Sequence, residues 1–382
     1  MALPHVHVIT PGDHYSPRTG SAIPTVVHGL ATAAASRGRI TRVSVARGTY
    51  PDRYDSAEAV EYAEAPAGRH DRQIDAVTGR LGLGRQRTRR RYAAAVTDQD
   101  SWPPSVVFAH NAPQLVGAID RSRHTPVLYA HNELLRTYSR REAGRTLENA
   151  ERIVCVSEFL ADRTRDRLPV SLRERVVVVR NGVDTELFRP APDKPERERV
   201  EVVFVGRVLR AKGPDVLIEA VRLVDDPRLQ VTVVGAAGFS PTAPLTPYER
   251  DLRRRASGLG ERVTWRPFLP RAEVAAVLRE ADVAVVPSRW PDPCPLTVLE
   301  GLASGLATVA SRVGGIAEIS SDGSLLVAPD DPAALAAELR RLVDDPYLRT
   351  DLGRRARASV RDWSLALDEL VDRLEGGGRI AG

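Results

Sequence analysis

Two positively charged side chains follow a glycine at the end of an apolar stretch. The run Glu201–Val205 predicts a buried strand, and Gly206, Arg207 and Lys212 come after it in the sequence GRVLRAKG. A glycine lets the backbone approach a ligand closely, and two cations beside it can hold a phosphate group. Lys212 is one of only two lysines in an arginine-rich chain. The Gly-Lys-Ser/Thr order of an ATP-binding P-loop is absent.

A second candidate anion site lies in Pro287–Glu318, PSRWPDPCPLTVLEGLASGLATVASRVGGIAE. Prolines exclude a helix until about Pro295, and leucines then recur at helical spacing. A helix that begins at the end of a parallel strand presents unpaired amide N–H groups to an anion. Asp292 lies just before this helix and Glu300 lies within it. A Gly314–Gly315 turn follows the next predicted strand.

Histidine and asparagine follow two predicted strands in the first half of the chain. Residues 105–109 and 126–130 predict buried strands, and they are followed by His110-Asn111 and His131-Asn132. Polar residues beyond the carboxyl ends of parallel strands are expected in a ligand crevice. A lone histidine there is more often structural, but the repeated arrangement favours a binding role. Glu133 comes next and could meet an acceptor hydroxyl or amine.

These segments resemble the nucleotide-sugar signature of the retaining glycosyltransferases of family 4, which have the GT-B fold. That signature has two acidic residues separated by seven others, then a helix of small residues, a strand and a glycine pair. Asp292 and Glu300 have this separation. Residues 181–190, NGVDTELFRP, are similar to the family's segment that leads out of the first domain. Asp292 stands where the family usually has glutamate.

The resemblance implies a role for each matching residue. Arg207 and Lys212 would hold the diphosphate, Glu300 the ribose and Asp292 the transferred sugar. The catalytic residues that it implies are Arg207, Lys212, His131 and Asp292. The donor-binding residues that it implies are Gly20, Gly206, Phe268, Leu269, Pro295, Leu296, Thr297 and Glu300. The acceptor-side candidates are His110, Asn132 and Glu133. An ordinary turn for Gly20, and core packing for Phe268 and Leu269, are the plainer alternatives.

No metal or other cofactor is expected, because two cations and a helix N-terminus can stabilise a departing diphosphate. Asp98-Gln99-Asp100 has the spacing of the metal-binding Asp-x-Asp of the other glycosyltransferase fold. It lies in a polar connection from a helix to a strand, which predicts a solvated turn.

Alternating strands and helices predict an α/β protein of two doubly wound domains. The resemblance implies two Rossmann-like domains that face each other across a cleft. Residues 1–190 are the expected acceptor-binding domain, completed by a crossover helix at about 360–376. Residues 191–359 are the expected donor-binding domain. A linker rich in proline and charge, residues 190–199, joins them.

Composition and charge limit the kinds of protein that this chain could be. The 382 residues carry a net charge of +5, contain two cysteines, and include no apolar run of about 18 residues. A reduced, cytoplasmic protein is therefore expected. The densest basic run, Arg85–Arg91, is predicted to be a solvated helix face, with peripheral contact to an anionic membrane as the alternative. Nucleic acid is disfavoured, because no aromatic residues alternate with the arginines.

The expected enzyme is a metal-independent, retaining hexosyltransferase that uses a nucleoside-diphosphate sugar, with UDP the expected nucleotide. A small-molecule acceptor such as an antibiotic or other secondary-metabolite intermediate is expected, with a lipid or polysaccharide as the alternative. Two further alternatives are a GT-B epimerase or hydrolase of nucleotide sugars and a nonenzymatic binder of nucleic acid or membrane. An epimerase or hydrolase would consume donor without an acceptor. A nonenzymatic binder would ignore nucleotide sugars.

Overall fold

The chain folds into two units, and each is a parallel β-sheet with helices packed on it. The computed structural model describes residues 3–192, 198–320 and 322–376, without the side chain of residue 72. The first unit contains the chain up to Asn181 and again from Trp363, and the second is Gly182–Asp362. Part of the predicted linker, residues 193–197, lies outside the described residues.

Seven parallel strands form the sheet of the first unit, in the order β3-β2-β1-β4-β5-β6-β7. Their valine-rich sequences suit a sheet covered on both faces, because β-branched side chains pack well there. The strands are β1 His5–Val8, β2 Thr41–Ala46, β3 Glu58–Tyr62, β4 Val106–His110, β5 Thr125–Ala130, β6 Arg152–Cys155 and β7 Val176–Val178.

Helices connect these strands, and a last helix returns from the end of the chain. They are α1 Ala22–Ala35, α2 Asp71–Arg80, α3 Gln86–Ala93, α4 Pro113–Val116, α5 Arg140–Leu147, α6 Glu158–Arg167 and α7 Val170–Arg173. The returning helix is α15, Trp363–Glu375. Two short 3₁₀ turns, Ala94–Val96 and Gln99–Ser101, lead into β4.

Six parallel strands form the sheet of the second unit, in the order β10-β9-β8-β11-β12-β13. They are β8 Val200–Val205, β9 Leu229–Val234, β10 Val263–Arg266, β11 Val283–Val286, β12 Ala307–Ser311 and β13 Ser324–Val327. The sequence order of the strands reverses between β8 and β11. Ligands of open α/β sheets bind at the carboxyl ends of the strands at such a reversal.

The helices of the second unit cover both faces of its sheet. They are α8 Pro214–Val224, α9 Pro247–Ala256, α10 Arg271–Glu280, α11 Leu296–Ala303, α12 Ile316–Ile319, α13 Pro332–Asp344 and α14 Pro346–Ser359. The short 3₁₀ turns are Arg210–Lys212 and Ser257–Arg262. Asp331 caps α13, with its carboxylate accepting a hydrogen bond from the Ala334 amide.

The predicted pair of doubly wound α/β domains is confirmed, since both sheets are wholly parallel and a helix lies between successive strands of each sheet except β2 and β3. Residues 51–84, where the sequence pattern is weak, contain β3 and α2. Of the helices within the described ranges, none is long and apolar enough to cross a membrane.

In the first unit, helix α1 near the start of the chain contacts helix α15 near its end. Helix α15 packs on α1, and the buried Trp363 indole lies over Gly29. A Cβ atom at Gly29 would come within 2.2 Å of this ring. Gly29 therefore provides the space into which the tryptophan packs.

Replacing Gly29 with alanine should destabilise the first unit. Overpacking of this kind costs about 1–3 kcal/mol, while alanine in place of glycine in a helix returns about 0.5–1 kcal/mol. Gly117→Ala is the matched control, because nothing lies within 4 Å of a Cβ there. Urea denaturation should show a lower midpoint for Gly29→Ala only. Equal midpoints for the two variants would contradict the packing argument.

Candidate active site

The turn after β8 requires glycine at position 213, because no other residue fits there. Gly206 ends the strand, the 3₁₀ turn Arg210–Lys212 follows, and Gly213 then starts α8 with φ +70°. A Cβ on Gly213 would lie 1.9 Å from the carbonyl oxygen of Pro287, the residue that follows β11. The loops after β8 and β11 are therefore in direct backbone contact at the point where the strand order reverses.

Lys212 and Asp292 meet across these two loops. The Lys212 ammonium lies 2.5 Å from Asp292 Oδ2, and the two side chains are 29% and 18% exposed. The other oxygen of Asp292 accepts a hydrogen bond from the Cys294 amide at 3.3 Å. Two residues that the sequence places eighty positions apart are thus brought into one partly buried ion pair.

The predicted glycine turn supports the loop that carries Asp292. The Gly315 amide donates a hydrogen bond to the Asp292 carbonyl at 2.9 Å. Gly314 has φ +60°, and a Cβ there would lie 2.5 Å from the Pro291 carbonyl carbon. The turn after β12 therefore holds the backbone of Asp292, while Lys212 holds its side chain.

Arg289 is a structural residue of this loop that the sequence did not reveal. Its guanidinium contacts both Asp215 oxygens at 2.7 and 3.0 Å, and it also pairs with Asp330 and the Arg210 carbonyl. Burial raises the pKa of Asp215, but hydrogen bonds from Arg289 and Tyr248 outweigh burial and leave this pKa below its ordinary value. Nothing in the local sequence identifies these partners, because Asp330 and Asp215 lie 41 and 74 residues away from Arg289 in the sequence.

Glu300 lies in α11 and is paired with a cation that the sequence analysis missed. Its carboxylate is 5% exposed and lies 2.8 Å from the guanidinium of Arg271, the first residue of α10. A buried carboxylate requires such a partner. Arg271 follows Pro270 at the start of a helix, and this position is the one feature of the sequence that could have pointed to Arg271.

The N-terminus of α11 has no side-chain cap within the described part of the chain. Pro295 precedes the helix, Leu296 is buried and Thr297 is half-buried. The first amide groups of an uncapped helix are available to an anion. Helices α5, α6, α9, α13 and α14, in contrast, each carry a side-chain cap.

Arg207 lies beside the ring of Phe239, which in turn contacts the ring of Phe268. It is exposed, its Nε donates to the Ala237 carbonyl at 3.0 Å, and its guanidinium lies 5.5 Å from the Phe239 ring. The Phe239 and Phe268 rings meet edge to face at 5.9 Å. Phe268 and Leu269 are half-buried rather than core residues. Phe239 is a further residue of this surface that the sequence analysis did not single out.

Three histidines form a hydrogen-bonded chain across neighbouring strands of the first unit. His7 Nδ1 lies 2.8 Å from His110 Nε2, and His110 Nδ1 lies 2.9 Å from His131 Nε2. The expectation that His110 lies beyond its strand is wrong, because it is the last residue of β4 and is fully buried. Asn111 has φ +51°, and its side-chain oxygen accepts a hydrogen bond from the His131 amide.

Burial makes these histidines neutral. It lowers the pKa of His7 and of His131 to about 3, and it lowers the pKa of His110 well below the ordinary value, with the neighbouring histidines adding to the effect on His7 and His110. The three imidazole rings therefore carry no charge near neutral pH. His131 follows β5 directly and is the member nearest the carboxyl end of the sheet.

A pocket of about 620 Å³ lies beside the segment after His131. Asn132 is exposed, and Glu133 is half-buried and lines the pocket. The other charged residues of the lining are Arg136, Arg140, Arg163, Asp166 and Arg167. Cations thus outnumber carboxylates in this pocket. Gly20 is exposed in the loop between β1 and α1.

The basic run Arg85–Arg91 is not a uniformly solvated face. Arg85 is 10% exposed, pairs with the buried Glu142 at 2.7 Å, and lies 3.6 Å over the Tyr138 ring. The prediction is therefore wrong for Arg85, because tertiary packing takes it into the protein. Asp98 and Asp100 are exposed, as expected of a solvated turn. No group of three or more His, Cys, Asp or Glu side chains that could hold a metal occurs in the described residues.

Curated relatives of this chain are named for transfer of a sugar. D-inositol 3-phosphate glycosyltransferase 1 of Catenulispora acidiphila is 37% identical over 223 residues, which are 53% of each protein. The D-inositol 3-phosphate glycosyltransferase of Geodermatophilus obscurus is 39% identical over 216 residues, 52% of this chain and 46% of that protein. The chain thus spans about half the length of these curated relatives.

Solved structures resemble the whole chain in fold. The HepE protein of Anabaena, crystallised with UDP and glucose, gives a TM-score of 0.73 at 17% identity and covers 98% of this chain and 99% of its own. Sucrose-phosphate synthase of Thermosynechococcus elongatus gives 0.72 at 19% identity, with 98% and 100% covered. At these identities the likeness shows the fold alone.

Two family models match consecutive parts of the sequence. The model described as Glycosyltransferase Family 4 matches residues 23–187, and the model described as Glycosyl transferases group 1 matches residues 184–359. Together they extend over both units. The chain belongs to the glycosyltransferases of family 4, and its fold is GT-B.

Proposed function

We propose that the protein is a retaining glycosyltransferase that moves a sugar from a nucleoside-diphosphate sugar, with UDP as the nucleotide, to a hydroxyl of a small acceptor. The observation that carries the proposal is the Lys212–Asp292 pair beside the uncapped N-terminus of α11. A cation, a carboxylate and free amide groups at one strand reversal are the groups that a sugar diphosphate requires. The family membership and the UDP-bound structural neighbours support this assignment.

Each part of the donor has a candidate partner in the second unit. Lys212, Arg207 and the first amide groups of α11 would bind the diphosphate. Glu300, held by Arg271, would accept hydrogen bonds from the ribose hydroxyls. Phe268, with Leu269 beside it, would contact the base, and Asp292 would bind hydroxyls of the sugar.

The reaction needs charge stabilisation more than it needs acid catalysis. The bond between the anomeric carbon and the phosphate oxygen breaks, and the departing diphosphate gains negative charge. Fixed cations and helix amides stabilise that charge without reorganising during the reaction. We infer attack by the acceptor oxygen on the same face of the sugar, with the leaving phosphate oxygen taking the acceptor proton. This course retains the configuration and needs no protein nucleophile.

The neutral state of His131 limits its role. Since burial lowers its pKa to about 3, it can hydrogen-bond to a sugar or acceptor hydroxyl but does not supply a charge at neutral pH. His110 is buried behind it, so it acts on the ligand through His131 rather than by contact.

The arginine-lined pocket beside Glu133 favours an acceptor that carries an acidic group. The relatives named for inositol 3-phosphate are consistent with such an acceptor. An antibiotic or other secondary-metabolite intermediate remains the expected acceptor class, and an acidic member of that class fits the pocket best. Asn132 and Glu133 are the residues from which we expect contacts to the reacting hydroxyl.

The test is a screen of UDP-, GDP- and ADP-sugars by thermal shift, followed by mass spectrometry of products with acidic and neutral small acceptors. We expect one nucleotide to stabilise the protein and one sugar to be transferred. Donor consumption at the same rate without any acceptor would identify a hydrolase or epimerase instead. Indifference to every nucleotide sugar would refute the donor site.

Lys212→Ala should lower kcat about 10²–10³-fold, as expected for loss of one group that stabilises developing charge. Arg210→Ala is the matched control, because this exposed arginine lies in the same 3₁₀ turn and pairs through its backbone. Both variants should keep the native circular dichroism spectrum. A kcat for Lys212→Ala near that of Arg210→Ala would show that the phosphate site is elsewhere.

Asp292→Asn and Glu300→Gln should differ in their effects on the affinity for free nucleotide. Glu300→Gln removes hydrogen bonds to a charged group, worth about 1.5–3 kcal/mol each, and should weaken nucleoside diphosphate binding. Asp292→Asn frees Lys212 and removes a negative charge near the phosphates, so free nucleoside diphosphate should bind as well or better while sugar transfer falls. Calorimetry with free nucleotide and with intact donor separates the two. Equal weakening of free nucleotide binding in both variants would contradict this division.

The Arg271–Glu300 pair should show strong coupling in a double-mutant cycle. Arg271→Met leaves a buried carboxylate without its partner and should cost about 3–5 kcal/mol of unfolding free energy. Adding Glu300→Gln removes that carboxylate, so the double variant should be more stable than Arg271→Met. Arg266→Met is the control, since Arg266 and Glu280 are exposed and 4.0 Å apart. Additive losses at positions 271 and 300 would show that the two side chains act independently.

A further inference from the structure

Four large apolar side chains are exposed close together at the end of α2. Ile74, Val77, Leu81 and Leu83 are 38%, 59%, 71% and 66% exposed. The first three recur at intervals of three and four residues, so they lie on one side of the helix and its last turn. A concentration of apolar surface of this kind marks an interaction site more often than scattered single residues do.

The opposite side of α2 is fixed to the protein. Asp75 is 2% exposed, and its carboxylate accepts hydrogen bonds from the backbone amides of Arg87 and Thr88 at 3.2 and 2.6 Å. Helix α2 is thereby held against the start of α3. Ile74 and Val77 are displaced by about 100° and 160° around the helix from Asp75, so they face away from this attachment.

The segment that carries these apolar residues is rich in arginine. Residues 69–91 contain eight arginines and two aspartates. Arg85, Arg87 and Arg91 pair with carboxylates. Arg69, Arg80, Arg89 and Arg90 are exposed, and no described carboxylate lies within ion-pair distance of them. We define the α2 face as Ile74, Val77, Leu81 and Leu83 with these four arginines.

We propose that the α2 face binds the surface of an anionic lipid bilayer. Exposed apolar side chains in a segment with exposed arginines that have no described carboxylate partner are typical of a helix that lies in the interface between headgroups and acyl chains. A second copy of the chain fits less well, because a twofold contact places the same patch against itself and brings like charges together. Nucleic acid would leave the apolar residues without a role.

The experiment is co-sedimentation of the full chain with vesicles of phosphatidylcholine, with and without phosphatidylglycerol. We expect binding only to the anionic vesicles, and weaker binding as salt rises. The double variant Val77→Ser with Leu81→Ser should lose at least about tenfold in partitioning, since both apolar anchors are removed. Arg80→Gln with Arg90→Gln should reduce binding and its salt dependence. Val170→Ser, at a 75% exposed valine of the same unit, is the matched control and should bind normally.

Three results would overturn the proposal. One is the absence of binding to anionic vesicles, and another is undiminished binding by the Val77 and Leu81 double variant. The third is a dimer in light scattering that this double variant abolishes, without vesicle binding, which would assign the face to a second copy. Circular dichroism checks that the variants fold. No nucleotide sugar enters these measurements, so their outcome is separate from that of the proposed reaction.

Discussion

A lysine ammonium that is mostly buried needs a negatively charged partner. Three loops of the second unit together provide that partner for Lys212. The loop after β8 carries the lysine, the loop after β11 carries Asp292, and the glycine turn after β12 holds the Asp292 backbone. Gly213 and Gly314 are required because backbone of a neighbouring loop occupies the space where a side chain would begin. Arg289 joins the loop after β11 to Asp215 and Asp330, so the carboxylate is presented by a fixed frame.

The proposed function implies that Lys212 exchanges its partner Asp292 for the diphosphate when the donor binds. Without ligand, Asp292 supplies the negative charge that Lys212 requires. A diphosphate brings stronger negative charge, and the lysine has three donors with which to reach it. Asp292 is then available for sugar hydroxyls while the loop stays in place. In the proposed function, the same carboxylate would therefore neutralise the lysine before the donor binds and orient the sugar afterwards. The cost of reorganisation stays low, which favours electrostatic catalysis.

The sequence predicts those parts of this site that depend on local order, and it does not predict the parts made by tertiary contacts. The apolar runs at 105–109, 126–130 and 201–205 predict β4, β5 and β8 to within one residue, and family resemblance singled out Lys212, Asp292 and Glu300. Arg271 and Arg289 were not predicted, because their partners lie in other elements of the fold and an arginine in an arginine-rich chain gives no signal. Arg85 was misplaced for the same reason: its burial depends on Glu142 and Tyr138, which come from a distant segment.

The three hydrogen-bonded histidines of the first unit show how burial can orient a side chain, here His131, for which we propose contact with a ligand. A neutral imidazole has one donor nitrogen and one acceptor nitrogen, so two consecutive nitrogen–nitrogen hydrogen bonds fix the direction of every member. If His131 Nε2 donates to His110 Nδ1, then His110 Nε2 must donate to His7 Nδ1; the reverse tautomers reverse both bonds. Protonating His110 would place donors on both of its nitrogens and a charge in a fully buried site, which its lowered pKa opposes. The tautomer of His131, and hence whether its Nδ1 donates or accepts, is set by residues that no ligand can touch.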